Sequence, residues 1–303
     1  MEVDPRRLAV LLAVHRNGGV LAAADTMRVT ASAISQQIAR LEAEVGQPVL
    51  DRQPSGAVLT PAGRVLADAA ERIEAEIADA ERALYALGED LTGTVVVGAF
   101  QTVIRSLLMP LLLELHDRLP GVELLVRELS AERGQRELRS GAVDMIVVEA
   151  EGVVGRTTPR YTQDVPILEE PWLVVMPASA PVPTTLRDLD GQVWLGVEPG
   201  TAAARATERV RTTFRMDAQV SHRYDDYDVA LAMVAGGLGI TLLPSLALHG
   251  EVPDGVQVVS VPGVGTRRLI VRHRATRTEP RPAVQAVIDE IVRAAANLPL
   301  APE

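Results

Sequence analysis

The sequence predicts an α/β protein of three consecutive parts: a small helical module, a long amphipathic helix and an α/β region. Apolar residues recur at helical spacing through the first 45 residues. A heptad pattern follows over residues 60–88. From residue 92 onward, short β-branched runs alternate with helical patterns, which is typical of a sheet with helical crossovers.

Three short helices are predicted in the N-terminal module. Asp4 and Pro5 begin the first, because aspartate caps a helix and proline fits its first turn. The second covers Val20–Met27, and Thr30 caps the third, Ala31–Val45. Two helices joined by a tight turn are typical of a helix-turn-helix, whose second helix presents its N-terminal residues to the DNA major groove.

The composition excludes several kinds of chemistry. All 30 basic residues are arginine, there is no cysteine, and 40 acidic residues give a net charge of -10. A Schiff-base lysine, a phosphate-binding loop with its lysine and a cysteine nucleophile are therefore excluded. The acidity lies outside residues 1–58, which carry six Arg and six acids. The charge of the whole chain therefore does not exclude DNA contacts by this module.

Specific motifs run through about 60 residues at the N-terminus. They are VTASAISQQIARLE at 29–42, GQPVLDR at 46–52 and LTPAG at 59–63. Together they resemble the signature of LysR-type transcriptional regulators, which implies a winged helix-turn-helix over residues 1–58. Val20 and Leu50 stand where the family usually has Phe, and the wing residues 53–58 carry no basic side chain. We therefore expect modest non-specific DNA affinity.

Seven residues are candidates for DNA contacts. Gln36 can recognise adenine through paired hydrogen bonds, and Ser32 and Ser35 can donate or accept. Arginine and threonine side chains suit phosphates, which set register rather than sequence. The full set is Arg28, Thr30, Ala31, Ser32, Ser35, Gln36 and Arg52. A simple helix cap at Thr30 and a solvated helix face at Gln36 are the alternatives.

Residues 59–91 form the predicted linker helix, a rod of about 40 Å. Its apolar positions alternate by four and three residues: Leu66, Ala70, Ile73, Ile77, Ala80, Leu84 and Leu87. Such a stripe predicts a partner helix, the alternative being packing on its own domain. The resemblance implies antiparallel dimerisation through this helix, hence a homodimer or homotetramer on a roughly palindromic double-stranded DNA operator, in contact with the transcription machinery.

The elements of residues 92–303 follow from period and breaker residues. Strands are predicted at 94–98, 122–127, 143–148, 172–176, 193–197, 220–224, 240–243 and 268–271, and helices at 104–118, 133–140, 202–215, 229–235 and 283–296. GAVDMIVV at 141–148 and AGGLGITLLP at 235–244 resemble the LysR effector-binding domain. That resemblance implies two lobes similar to those of periplasmic binding proteins, lobe I at 92–163 and 269–303 and lobe II at 164–268.

A small-molecule effector is expected between the lobes, at strand ends and helix N-termini. The candidates are Phe100, Gln101, Thr102, Glu149, Gly200, Thr201 and Asp225. Glu149, placed just after the strand at 143–148, is expected to disfavour an anionic effector and to pair with an amine. A solvated loop acid at Glu149, and helix capping at Thr102 and Thr201, are the alternatives.

Signs of catalysis are weak in the sequence. The five histidines are scattered, and no serine lies in a Gly-x-Ser-x-Gly elbow. We therefore expect no catalytic residues, no metal and no cofactor. The first hypothesis is a cytoplasmic DNA-binding regulator without a membrane segment. A solute-binding protein without DNA activity is the alternative, and a metabolic enzyme is a third possibility.

Overall fold

The structure is a computed structural model that describes residues 3–53, 56–85, 91–150, 161–216, 219–275 and 280–300. The side chains of residues 52, 53, 56, 78, 79 and 81–85 lie outside the description. The chain divides into two compact units. Met1–Glu89 with Arg136–Ala142 form the first, and Asp90–Gln135 with Val143–Glu303 form the second.

The first unit begins with the three predicted helices, α1 (Pro5–Arg16), α2 (Val20–Met27) and α3 (Ala31–Val45). The bounds of α2 and α3 agree with the prediction. Asp4 caps α1 by accepting from the Arg6 backbone N–H. Gly46 ends α3 at φ +71°, a left-handed conformation that glycine adopts without steric cost.

A short antiparallel hairpin, β1 (Leu50–Gln53) and β2 (Gly56–Leu59), connects α3 to the long helix α4 (Pro61–Tyr85). The first turn of α4 lies tightly against the segment before the hairpin, where a Cβ at Gly63 would overlap the carbonyl oxygen of Val49. The Gly63 position therefore requires the absence of a side chain.

The core of the first unit includes the N-terminal half of α4. Leu11 and Leu12 of α1 are fully buried, together with Ile34 and Leu41 of α3. Four α4 residues join this core: Leu66, Ala67, Ala70 and Ile73. The predicted heptad seam is thus corrected in its first half, because Leu66, Ala70 and Ile73 pack on their own chain. Ile77 and Ala80 are exposed, Leu84 has an undescribed side chain, and Leu87 lies outside the described residues.

The second unit contains a seven-stranded mixed sheet. Its strands are β3 (Gly93–Ala99), β4 (Val122–Glu128), β5 (Met145–Ala150), β6 (Thr162–Pro177), β9 (Thr241–Pro244), β10 (Val256–Val259) and β11 (Thr266–Arg274). Their order in the sheet is β10-β6-β11-β5-β3-β4, and β9 pairs with β6. A separate parallel pair is formed by β7 (Val193–Val197) and β8 (Gln219–Tyr224).

Strand β6 connects two groups of strands. Its residues 162–171, except 167, pair antiparallel with β11, and its residues 172–177 pair with β9 and β10. The sequence predicts only 172–176 of this strand, since Pro166 and Pro171 interrupt the apolar pattern. The short β10 is likewise absent from the prediction. This arrangement gives the two-lobed α/β architecture that the sequence predicts, whereas the lobe limits at residues 163 and 268 stay a prediction.

Helices cover both groups of strands. The helical run of α5 (Gln101–Val103), a π-helical turn (Ile104–Leu108) and α6 (Met109–Arg118) packs with α10 (Pro282–Ala296) on β3, β5 and β11. The remaining helices are α7 (Ala131–Arg139), α8 (Ala202–Phe214) and α9 (Tyr227–Ala235), with 3-10 turns at Leu186–Leu189 and Ser245–Leu248. Among the described residues, no helix is long and apolar enough to cross a membrane.

Candidate functional site

Helix α3 has one buried face and one polar face. Ile34, Ile38 and Leu41 are buried in the first unit, whereas Ser32 and Gln36 are exposed. The spacing of four and then three residues between the buried side chains puts these two sets on opposite sides of the helix. The N-terminal end of α3 therefore presents exposed hydrogen-bonding side chains to solvent, as the helix-turn-helix interpretation requires.

The turn before α3 is held by short polar contacts. Arg28 ends α2 in the left-handed region at φ +55°. Thr30 caps α3, since its hydroxyl accepts from the Ala33 N–H at 3.2 Å, and it also contacts the Ser32 hydroxyl at 3.0 Å. Thr30 is exposed, so the capping role and a phosphate contact are compatible.

The other predicted DNA-contact residues differ in exposure. Ala31 and Ser35 are partly buried, and Arg28 is exposed. Arg52 lies in β1 opposite Ala57, and its side chain is outside the described residues.

Some arginines of the first unit are engaged in its structure. Arg7 pairs with Glu44 and donates to Gln37, and Arg16 pairs with Glu74 at 2.8 Å.

Arg40 is a cation that sequence reasoning missed. Like Arg28, it is exposed and forms no ion pair with another described residue. Arg28 and Arg40 are therefore two exposed cations with room for a phosphate. The position of Arg40 on the exposed face of α3 is the signal that could have identified it from the sequence.

In the second unit, three of the seven predicted effector residues, Phe100, Thr102 and Glu149, meet around an arginine that the sequence analysis did not predict. Arg267 of β11 donates from Nε to Glu170 at 2.7 Å, from Nη1 to Glu149 at 3.0 Å and from Nη2 to the Thr102 hydroxyl at 3.1 Å. The side chain of Arg267 is 5% exposed and that of Glu170 is 0% exposed. The cluster therefore holds a buried cation between two carboxylates.

Two aromatic rings enclose the Arg267 guanidinium. Its central carbon lies 5.2 Å from the centre of the Phe100 ring and 5.7 Å from the Trp172 ring. Such distances allow cation–π attraction, which is stronger where water is excluded. Phe100 therefore faces the protein's own cation, and its contact with an effector stays a prediction.

Glu149 also contacts the helix on the other side of the cluster. Its Oε2 accepts from Nη2 of Arg205, on α8, at 3.1 Å. Glu149 lies within β5 rather than after its end, which corrects the predicted strand limit. Both of its carboxylate oxygens are engaged by arginines, so the expected pairing with an amine is not supported by this arrangement.

The helical run after β3 contacts the start of α9. Gln101 donates from Nε2 to Oδ2 of Asp226 at 2.7 Å. Arg105 of the π-helical turn pairs with Asp228 at 3.1 Å and donates to the Ala247 carbonyl oxygen at 2.9 Å. These contacts hold residues 101–105 against α9 and the turn after β9.

Asp226 rather than the predicted Asp225 makes the contact to Gln101. Asp225 is exposed, whereas Asp226 caps α9 by accepting from the backbone N–H groups of Asp228 and Val229. The hydrogen bond from Gln101, together with these N–H groups, lowers the pKa of the Asp226 carboxyl below its ordinary value of 3.8. Folding therefore favours the ionised form of the Asp226 carboxyl relative to the unfolded chain.

Gly200 and Thr201 lie at the start of α8. The Thr201 hydroxyl accepts from the Ala204 N–H and donates to the Glu198 carbonyl, so capping accounts for both contacts. Gly200 has φ +88°, and its carbonyl accepts from Nη1 of Arg205 at 2.7 Å. This segment orients Arg205 toward Glu149.

A cavity of about 820 Å³ adjoins this segment. Gly200 and Arg205 belong to its lining, with the apolar residues Leu195 and Val220. Four lining residues are arginines: Arg205, Arg209, Arg211 and Arg223. The acidic lining residue is Glu208, so the cavity carries excess positive charge.

Arg267, Glu170 and Arg205 were missed by sequence reasoning. The signal available was the charged run Glu169-Glu170, which only Pro171 separates from the apolar strand at 172–176. Burial of a charged side chain depends on tertiary packing, so the sequence alone could not separate Glu170 from the exposed Glu169. Among the described residues, no three His, Asp or Glu side chains are grouped as metal ligands.

Two family models match the chain. Residues 5–64 match the bacterial regulatory helix-turn-helix protein, lysR family, and residues 88–296 match the LysR substrate binding domain.

Curated relatives span most of the chain. The DNA-binding transcriptional dual regulator OxyR of Escherichia coli is 28% identical over 83% of this chain and 81% of its own length. The nitrogen assimilation regulatory protein nac of Klebsiella aerogenes is 27% identical over 93% and 92%.

Solved structures share the fold. A full-length OxyR variant from Pseudomonas aeruginosa has a TM-score of 0.68 and 22% identity, covering 99% of this chain and 100% of that one. The LysR family regulator CbnR has a TM-score of 0.55 and 21% identity over 96% and 100%. The two family models, which between them cover most of the sequence, show that this chain belongs to the LysR family of DNA-binding transcriptional regulators.

Proposed function

We propose that this regulator reads two DNA half-sites with paired α3 helices, and that a small molecule bound in the second unit changes its operator affinity. The observation that carries the DNA-reading part is the exposed polar face of α3, with Ser32 and Gln36 opposite the buried stripe. A helix so exposed at its N-terminal end fits the major groove.

Dimerisation supplies the second half-site. Ile77 of α4 is 56% exposed although it continues the apolar stripe of that helix. A partner helix that covers this part of α4 would bury it. Two-fold symmetry then predicts a roughly palindromic operator whose half-sites lie on one face of the DNA.

The proposed role is regulatory rather than catalytic, and its site of action is the cytoplasm. The relatives are transcriptional regulators, and Glu149 and Thr102 of the predicted effector residues are held by Arg267 rather than arranged for catalysis. The alternative, a solute-binding protein without DNA activity, explains the second unit but gives no role to the polar face of α3.

Equilibrium binding to the DNA upstream of its own gene tests the proposal. Fluorescence anisotropy should show tighter binding to this duplex than to a scrambled duplex of equal length. The affinity should fall with salt, with a log–log slope of about -0.9 per phosphate contact. Equal affinity for the two duplexes at every salt concentration would refute the proposed DNA reading and favour the solute-binding alternative.

A further inference from the structure

The two carboxylates on Arg267 are bound in unequal ways. Glu170 is fully buried, pairs with Arg267 Nε at 2.7 Å and accepts from the Leu246 N–H at 2.7 Å. Removing it from this position would leave the buried Leu246 N–H without its partner, and the buried Arg267 with only the partly exposed Glu149 as counter-ion. Glu170 is therefore the permanent counter-ion of Arg267.

Glu149 is the carboxylate that can leave. Its side chain is 22% exposed, and its second arginine, Arg205, is 51% exposed. When the Glu149 carboxylate moves into solvent, Arg267 keeps Glu170 and Arg205 stays hydrogen-bonded to the Gly200 carbonyl. The cost of this movement is therefore far smaller than the cost of moving Glu170.

After Glu149 moves away, the guanidinium groups of Arg267 and Arg205 still point at one position, the one that its carboxylate occupied. Nη1 of Arg267 and Nη2 of Arg205 both donate to it, at 3.0 and 3.1 Å from the present carboxylate oxygens. We call this pair of donors the anion site. We propose that the effector of this regulator carries a carboxylate or another anionic group, and that this group binds the anion site by displacing Glu149.

The charges around the anion site favour an anion over an amine. An amine would have to take Glu149 from both arginines and leave two cations facing each other, whereas an anion replaces one negative group by another. The adjoining cavity, with four arginines and Glu208 in its lining, extends the positive surface beside Arg205. The identification of the bound anion as an effector rests on the proposed function, whereas the anion site itself can be tested without DNA.

Chemical rescue of Glu149→Ala in the full-length chain tests the anion site. Acetate, supplied as the sodium salt, can place a free carboxylate where the side chain was removed. Thermal unfolding should show the Tm of Glu149→Ala rising saturably with acetate, by about 2–4 °C relative to sodium chloride of equal ionic strength. Wild type should show no saturable rise, because acetate alone, unlike a larger effector with further contacts, does not displace the tethered carboxylate of Glu149.

Glu169→Ala is the matched control. Glu169, the residue before Glu170 on β6, also pairs with an arginine, Arg268, at 3.2 Å. Unlike the pair of Glu149 with Arg267, this pair is exposed. We expect no saturable acetate effect for this variant. The double variant Glu149→Ala/Arg205→Ala should lose the rescue, because one of the two donors is gone.

The outcomes separate this inference from the proposed function. Saturable rescue confined to Glu149→Ala supports the anion site even if the chain fails to bind its upstream DNA. An equal response of Glu149→Ala, Glu169→Ala and wild type overturns it even if DNA binding is specific. If Glu149→Ala does not fold, Glu149→Gln takes its place, since glutamine preserves the shape and leaves a site that lacks only the negative charge. A saturable acetate response of that variant supports the inference, and a response equal to that of wild type contradicts it.

Discussion

Arg267 and Glu170 form a buried ion pair in which Nε donates to Oε1 at 2.7 Å. The pair joins β11 to β6, the strand that passes from one group of strands to the other. Because water is excluded on both sides, neither charge can be compensated by solvent if its partner is removed.

Removing the Glu170 charge should therefore destabilise the second unit. For Glu170→Gln we expect the free energy of unfolding to fall by about 3 kcal/mol, the lower end of the effect of breaking a buried pair, because Glu149 still pairs with Arg267. Both tryptophans of the chain, Trp172 and Trp194, are buried in this unit, so their fluorescence during urea unfolding reports it. Glu169→Gln, on the exposed pair with Arg268, should leave the urea midpoint unchanged; equal loss in both variants would show that burial is not the cause.

The decrease of the free energy of unfolding at acid pH should depend on Asp226. Its pKa in the folded chain lies below the ordinary value of 3.8, mainly through the hydrogen bond from Gln101. The resulting stability is present above the unfolded pKa and is lost as the pH falls through the lower folded pKa. Asp226→Asn keeps a capping oxygen but does not titrate. The stability advantage of wild type over Asp226→Asn, measured by urea unfolding at a series of pH values, should shrink below pH 3.8; an advantage independent of pH would contradict this account.

Base recognition should depend on Gln36. Replacing it by alanine should reduce discrimination at one base pair of each half-site by about 1–3 kcal/mol. Arg52→Ala should weaken binding to all sequences alike and reduce the salt slope, because a phosphate contact carries no sequence information. Gln37→Ala is the control, since Gln37 accepts from Arg7 inside the module. Competition binding against a panel of single-base operator variants measures these effects, and uniform loss for Gln36→Ala would exclude base reading by this residue.

The first turn of α4 should not tolerate a side chain at Gly63. A Cβ there meets the backbone carbonyl oxygen of Val49, which cannot move like a flexible side chain. We expect Gly63→Ala to lower the stability of the first unit by at least about 2 kcal/mol. Gly19→Ser is the comparison, because nothing lies within 4 Å of a Cβ at Gly19 and serine is a good cap for α2. Far-ultraviolet circular dichroism during heating measures both, and similar melting curves would contradict the steric argument.

Self-association should depend on the exposed part of the α4 stripe. Ile77→Glu places a charge in the expected contact between two chains, so sedimentation velocity should show a shift toward monomer. Glu76→Gln, at the adjacent exposed position, should sediment like wild type. An unchanged sedimentation coefficient for Ile77→Glu would place the dimer contact elsewhere.

The sequence predicts local elements well and tertiary partners poorly. Caps and glycines set the bounds of α2 and α3, and both agree with the structure. Strand β6 is predicted only in its apolar second half, because its first half alternates charges and prolines along β11. The heptad pattern correctly predicts that α4 is a helix. It cannot show whether the apolar stripe of that helix packs on a partner chain or on α1 of the same chain. Glu149 is assigned to the effector site from its place near a strand end, whereas Arg267, its counter-ion, lies 118 residues away.

Hydroxyl-radical footprinting of the full-length protein on the DNA upstream of its gene tests the central claim most directly. We expect two protected half-sites on one face of the duplex, with centres about 34 Å apart or a whole multiple of that distance. Gln36→Ala should make the edges of protection less distinct at both half-sites, and to the same extent. Protection that is absent, or that is the same on scrambled DNA, would contradict the claim that paired α3 helices read an operator.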